Sequence, residues 1–460
     1  MEVDTVRHGW QSGPDFRGTY DIVKTCLGTV VLLCWSSVCP NVPSQKKGLW
    51  HKFSGKIQLF FLSMLGPDFI FATALGQLNE AWRAKKILHK QGYTEWTLRH
   101  CFFVNMGGIH LEFRDRKQNG LPTFPADVDQ LLYLVRNNYM SLPTITQADI
   151  DDRNKADSFT RAIAIIQTTW FTVNIFGRIA QDLFVTTMEL TTLSFVFLMT
   201  CCSICWWHKP MDIPRPFIVP VYADLSGILA QEHTSAKSFG LTPLSFINRK
   251  EWLASQFWAC CIHVLRKIIF KSSTITKPTE ADHFPSISFH EPDLKWELTA
   301  GWVVPAYSAM FMIAWNFPFP TATECLLWRI SAIITLAVLT LLPILAFWQQ
   351  HRVSVASWFG FKKASEAENT IHGNDYGDIV ELGFPQPNQH MGLLDRLRNM
   401  SANKDPLLVI RIRVWIPFAA MAALYCIARL YILIEDIAGL RSLPQSTFQT
   451  VTWNQYWSLF

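Results

Sequence analysis

Four charged side chains interrupt stretches that are otherwise apolar: Asp68, Arg178, Glu189 and Arg429. In a lipid-filled setting such groups are costly and mark functional sites by default. The carboxylates could act as acid or base, and the guanidinium groups could stabilise developing negative charge. Gln167, Asn174 and Arg178 are spaced by seven and four, which puts them on one helical face. Arg178 and Glu189 flank a short connection, so an ion pair across that turn is expected. The alternative use of all these groups is structural, as salt bridges and interhelical hydrogen bonds that hold a bundle together.

Asp151, Asp152 and Asp157 form a second acidic group that could hold a divalent cation. Arg153 and Lys155 interleave with them and no matching acidic motif follows, which favours a charge arrangement at a helix N-terminus. Cys202-Ser-Ile-Cys205 has metal or redox spacing but no second pair, and small helix-packing residues explain it better. His100, His110, His208 and His263 form no metal-binding pattern. Phosphate-cradling, dinucleotide and nucleophile-elbow motifs are absent, and nothing names a cofactor.

The elements that would position these groups are long apolar runs. A helix needs about 20 apolar residues to cross a hydrocarbon layer of roughly 30 Å. Candidate spans cover 20–39, 57–78, 162–180, 183–207, 298–315, 324–347 and 414–434, with soluble inserts at 79–157, 208–296 and 348–411. The fold class expected is an all-α, polytopic transmembrane bundle of seven spans, or eight if 96–113 also crosses. That last stretch is short and broken by Gly107-Gly108, so an interfacial or re-entrant element is expected there. Gly66-Pro67-Asp68 should kink the second span. Trp206, Trp207, His208 and Lys209 read as an interfacial anchor, and Trp258–Phe270 as an amphipathic surface helix.

The chain has 460 residues, 50% hydrophobic and 17% charged, with a net charge of +5. The cations therefore collect in loops, as expected for lipid head-group contact and positive-inside topology. No basic, aromatic-interleaved module for nucleic acid appears. Eleven scattered cysteines do not form a disulfide framework. Seven spans would place the long basic loops on the side of the N-terminus, the cytoplasm, yet the lysines of 44–56 would then face the other way.

Several stretches resemble a known set of proteins. They are Arg17-Gly-Thr-Tyr-Asp-Ile22, Trp96-Thr-Leu-Arg-His100 with Met106-Gly-Gly108, and Asp152-Arg-Asn-Lys-Ala-Asp157 before Gln167-Thr-Thr-Trp-Phe171. Next come Glu189-Leu-Thr-Thr-Leu193, Trp206-Trp-His-Lys-Pro210, and Ala314-Trp-Asn-Phe-Pro-Phe-Pro-Thr321 with Glu324 and Leu327-Trp-Arg329. Ala428-Arg-Leu-Tyr431, Glu435 and Leu440-Arg-Ser-Leu-Pro444 complete the set. Together they resemble a large family of fungal integral membrane proteins of unassigned activity, some near secondary-metabolite genes. Pro67-Asp68 departs from the PE common in that family, and Ser308-Ala-Met-Phe311 stands where a Gly-Gly-Ile-His is frequent. The resemblance implies a multi-span bundle and no established catalytic residues. The expected partners are the bilayer and a lipophilic small molecule such as a terpenoid or polyketide. That molecule would be handled by an enzyme or accessory factor or, in the alternative reading, by a non-catalytic transporter, receptor or scaffold.

Overall fold

Runs of leucine, isoleucine and phenylalanine long enough for five or more turns form the long helices of the computed structural model. It describes residues 6–13, 16–43, 49–118, 123–153, 158–231, 242–245, 247, 283–286, 293–350 and 412–453. Asp157, the apolar run Trp258–Phe270 and residues 351–411 lie outside the described residues. In chain order the elements begin with β1 (Val6–His8), α1 (Thr19–Ser37), α2 (Leu49–Leu65), α3 (Pro67–Lys90) and α4 (Leu98–Phe103). They continue with β2 (Ile109–Phe113), α5 (Arg114–Gln118), β3 (Phe124–Pro125), α6 (Val128–Arg136) and α7 (Gln147–Asp151). Then come α8 (Ser158–Ala180), α9 (Thr187–Cys205), β4 (Phe217–Val221), α10 (Leu225–Gln231) and α11 (Leu294–Ala309). The last are α12 (Ala322–Gln350), α13 (Ile412–Ala438) and β5 (Ser442–Pro444). The fold is mostly helical, and the small sheets are a departure from the all-α expectation.

Among the described residues, four stretches are long and apolar enough to cross a membrane: Thr187–Cys205, Leu294–Asn316, Ala322–Leu341 and Trp415–Arg441. The bundle also turns large apolar side chains outward. Ile166, Trp170 and Phe176 on α8, Trp302 on α11, and Ile427 and Ile434 on α13 are all exposed. Contiguous outward apolar faces are rare on water-soluble monomers and fit a lipid surround.

Two ends of the bundle can be told apart. At one, β1 pairs antiparallel with β5, Val6 opposite Pro444 and His8 opposite Ser442. This latch end also holds the α8–α9 turn and the α11–α12 turn, whose Phe184 and Phe317 rings lie 5.1 Å apart. At the other, Ser37 closing α1 bonds Ser203 near the end of α9 at 2.9 Å. Thus α1, α8, α9, α11, α12 and α13 run between the two ends, packed mainly as α1 on α9 and α8, and α12 on α11 and α13.

The second expected span is broken into two helices. Gly66, with φ −145° and ψ 76°, separates α2 from α3, and Pro67 opens α3. Lys56, in α2, donates to Asp212 at 2.7 Å, just past the far end of α9. At the break Asp68 meets Tyr425, midway along α13. From there α3 returns, so that Gln77 reaches Trp206 and Lys209 at the end from which α2 began. The pair α2–α3 therefore forms a hairpin that starts and finishes at one end of the bundle. Proline supplies no N–H for a continuous helix, and the break provides the reversal.

Beyond this end lies a small domain around the sheet β3-β2-β4, β2 antiparallel to β3 and parallel to β4. Ile109, Leu111 and Phe113 of β2 are buried in it. The stretch 96–113, expected at the interface or re-entrant, is thus α4, a wide turn and the central strand. Gly107 takes φ +83° in that turn, a conformation glycine adopts without penalty. Asp115 caps α10, accepting from Leu225 and Ser226 amides at 3.1 and 3.0 Å. Burial would raise its pKa, but the Ser226 and Leu225 amides outweigh that and hold it below the usual value.

Candidate functional site

The break at Gly66-Pro67 brings Asp68 to the middle of the bundle, where α3, α9, α11 and α13 converge. The Tyr425 hydroxyl donates to Asp68 Oδ1 at 2.5 Å. One turn on, Arg429 is only 2% exposed. Its guanidinium lies against three rings, 4.9 Å from the centroid of Phe311, 5.6 Å from Phe195 and 5.7 Å from Tyr307. None of its three nitrogens has a hydrogen-bond partner among the described residues, and neither does the Tyr307 hydroxyl. Asp68 and Asp436 are the carboxylates within its electrostatic reach.

Asp436 follows Arg429 by two turns, about 10 Å along the axis. It is buried beside the Thr187 and Thr191 side chains of α9, with Oδ1 unpaired. On the neighbouring face of α13, the Tyr431 hydroxyl sits 3.2 Å from Glu435 Oε2 and 3.1 Å from the Glu324 carbonyl. Glu324 in turn pairs with Arg441 at the latch end. The helix α13 thus carries a polar stripe from mid-bundle to one surface. Its spacing, Tyr425, Arg429 and Asp436 at four and seven, keeps those three on one face.

Arg178 and Glu189 do not pair as the turn suggested. Thr186 and Glu189 form a reciprocal cap for α9, Thr186 N donating to Glu189 Oε2 at 2.9 Å and Glu189 N to Thr186 Oγ1 at 3.2 Å. That holds the carboxylate toward α1, where Arg17 forms the ion pair. Arg178 instead donates to backbone carbonyls of Phe184 at 2.7 Å, Gln449 at 2.9 Å and Thr447 at 3.0 Å. It fastens the C-terminal segment. Its expected face-mates also part: Gln167 donates to Thr29 at 3.2 Å, while Asn174 bonds its own helix at Trp170 O, 2.9 Å away.

The candidate metal acids are used otherwise. Asp151 pairs with Arg99, Asp152 follows α7 exposed, and Asp157 lies outside the described residues. No group of three metal-capable side chains occurs among the described residues. Lys209 also differs from its expected interfacial role. It is 2% exposed and donates to Cys39 O at 2.8 Å, Asn41 Oδ1 at 2.9 Å and Gln77 Oε1 at 2.8 Å. Burial pushes its pKa down to about 8. The Trp206 indole donates to the same Gln77 oxygen at 3.0 Å, so three separate segments are tied at one point.

Sequence reasoning missed Tyr307, Tyr425 and Asp436. The four-and-seven spacing of Tyr425, Arg429 and Asp436 was the available signal. A shallow depression of about 560 Å³ on the small domain, lined by Tyr93, Val135, Asn138, Met140, Ser141 and Leu142, contains none of these groups.

A family of unknown function (DUF8562) matches residues 2–232, half of the chain. That region contains Asp68, Arg178, Glu189 and Lys209, whereas Arg429 and Asp436 lie beyond it. No curated protein and no solved structure matches.

Proposed function

The chain belongs to this family of unknown function, and from that premise we propose a multi-pass membrane protein that takes a lipophilic small molecule to the Asp68–Arg429 cluster inside its bundle. Six helices cross, and α2–α3 enters and leaves on one side. The observation that carries the reading is Arg429, buried among aromatic rings with no hydrogen bond. A charged group withdrawn from water costs several kcal/mol unless its partners compensate. Packing alone would be served better by a leucine. An arginine held ready beside Tyr307 and Asp68 suits a ligand oxygen, with Asp68 supplying acid or base chemistry. The stretches resembling fungal membrane proteins extend the proposal to a secondary metabolite, a terpenoid or polyketide.

The second reading, a transporter, is favoured by the break at Gly66-Pro67. Interrupted helices that end at mid-membrane surround binding sites in many carriers.

The re-entrant pair also supports an orientation. Among the described residues, the connections at the latch end hold Arg7, Arg17 and Arg441, with Lys24 the nearest lysine, in the second turn of α1. At the opposite end the described residues include Lys56, Lys85, Lys86, Lys90 and Lys117, and that end is therefore assigned to the cytoplasm.

The test is expression of the full chain with lipophilic precursors and analysis of cells and medium. A new product that disappears in Asp68→Asn and Arg429→Gln supports chemistry at the cluster. Undiminished conversion in both variants removes it. Unchanged precursor moved across the membrane favours the transporter.

A further inference from the structure

We infer that Asp68, Arg429 and Asp436 together bind one exchangeable proton inside the bundle, with Arg429 turning toward whichever carboxylate is ionised. The charge count is the starting point. One guanidinium lies between two buried carboxylates, so the ionised triad would carry one uncompensated negative charge. In a low-dielectric interior that charge is neutralised at little cost by one proton.

Among the described residues around the triad no second cation faces it. On α9, Thr187 and Thr191 are neutral and Glu189 is committed to Arg17. On α11, Tyr307 faces Arg429, and on α13 itself Tyr425 and Cys426 lie near Asp68. On α1, Cys26 senses Asp436 and the Arg17–Glu189 pair, while Cys34 lies near Tyr307. Cys202 of α9 is close to Asp68. Glu435 adds a further acid beside Asp436, facing Glu324 and Arg441 of the latch end. Of the other described cations at the latch side of the triad, Arg17 is paired with Glu189, Arg441 with Glu324, and Arg178 with backbone carbonyls.

Two details make the proton exchangeable. Arg429 is hydrogen-bonded to neither carboxylate, so it is poised between alternatives about one and two turns away along α13. Asp436 Oδ1, Glu435 Oε1 and Glu324 Oε2 are buried without a hydrogen-bond partner among the described residues, and Glu324 pairs with Arg441 at the latch end, which supplies an exchange route. The step forms one O–H bond on a carboxylate oxygen and moves no electrons. It does not depend on the identity of a ligand.

The test is infrared difference spectroscopy of the full chain in lipid nanodiscs, labelled with ¹³C-aspartate, between acidic and alkaline buffers. The wild-type chain should show one buried aspartic-acid carbonyl band that shifts in D₂O. Asp68→Asn and Asp436→Asn should each abolish it, because the remaining carboxylate then pairs with Arg429. Asp152→Asn, at an exposed position, should keep it. A wild-type chain without the band overturns the inference even if a variant fails to fold. So does a band that survives in both variants, or one that sodium removes at constant pH.

Discussion

Arg17, one residue before the Gly18 that caps α1, forms an ion pair with Glu189 in the first turn of α9, 172 residues away. Glu189 is 1% exposed and also caps α9 through Thr186. Removing one member of a buried pair leaves the other uncompensated. Arg17→Gln should therefore destabilise the fold by roughly 3 kcal/mol. Arg17→Gln with Glu189→Gln should recover part of that loss. Unfolding of the four variants in detergent measures the coupling, and strictly additive losses would reject it.

Lys209 ties the α1 exit, α3 and the α9 exit together. Lys209→Met keeps the stem but strands the Cys39 carbonyl and the Asn41 amide oxygen, while Gln77 retains its bond from Trp206. The expected cost is about 2–4 kcal/mol, two orphaned acceptors at about 1–2 each. Thermal unfolding unchanged from wild type would show the knot to be dispensable.

His100 makes the small domain acid-sensitive. Thr97 N donates to its Nδ1 at 3.2 Å, and Nε2 sits 3.0 Å from the Ile145 carbonyl. That pattern requires neutral imidazole with the proton on Nε2. Burial lowers its pKa below 6.5. With the folded value below the unfolded one, the unfolded chain binds more protons in this window. Stability then falls as pH drops through 6.5 toward the folded pKa. His100→Gln should flatten the acid limb of a pH–stability curve, and an identical limb would contradict the assignment.

Topology can be read with single cysteines at Trp10, Gln449 and Ser141, all exposed positions. The first two lie at the latch end and the third on the small domain. An impermeant maleimide applied to sealed cells should label the first two and spare the third. Opposite labelling of Trp10→Cys and Gln449→Cys would mean an odd number of crossings.

Helix positions were largely readable because apolar run length reports them directly. The fate of 57–78 was not. Gly66-Pro67 announces a kink, but reversal depends on Gln77 meeting Trp206 and Lys209 from a distant segment. Lys209 looked like a surface anchor because its acceptors, Cys39, Asn41 and Gln77, come from far upstream. Thr186 and Glu189 spell a capping box, a local signal stronger than mere proximity to Arg178. That cap, with Arg17 waiting on α1, decided the pairing. Asp68 and Arg429 were singled out as membrane charges, yet their convergence requires four helices to pack.

The β1–β5 latch sets an order of events. His8 and Ser442, in contact across it, are 434 residues apart. During synthesis the segment holding His8 leaves the ribosome before the helices and must wait until the residues up to Ser442 have been made. Arg17, beside it, gains Glu189 earlier but completes its setting only when Phe448 arrives to accept from its amide. Closing so large a loop is entropically unfavourable until the helices between are docked. The strand pair is thus a marker of completed assembly, and a nascent chain stalled before Ser442 would carry an unpaired β1.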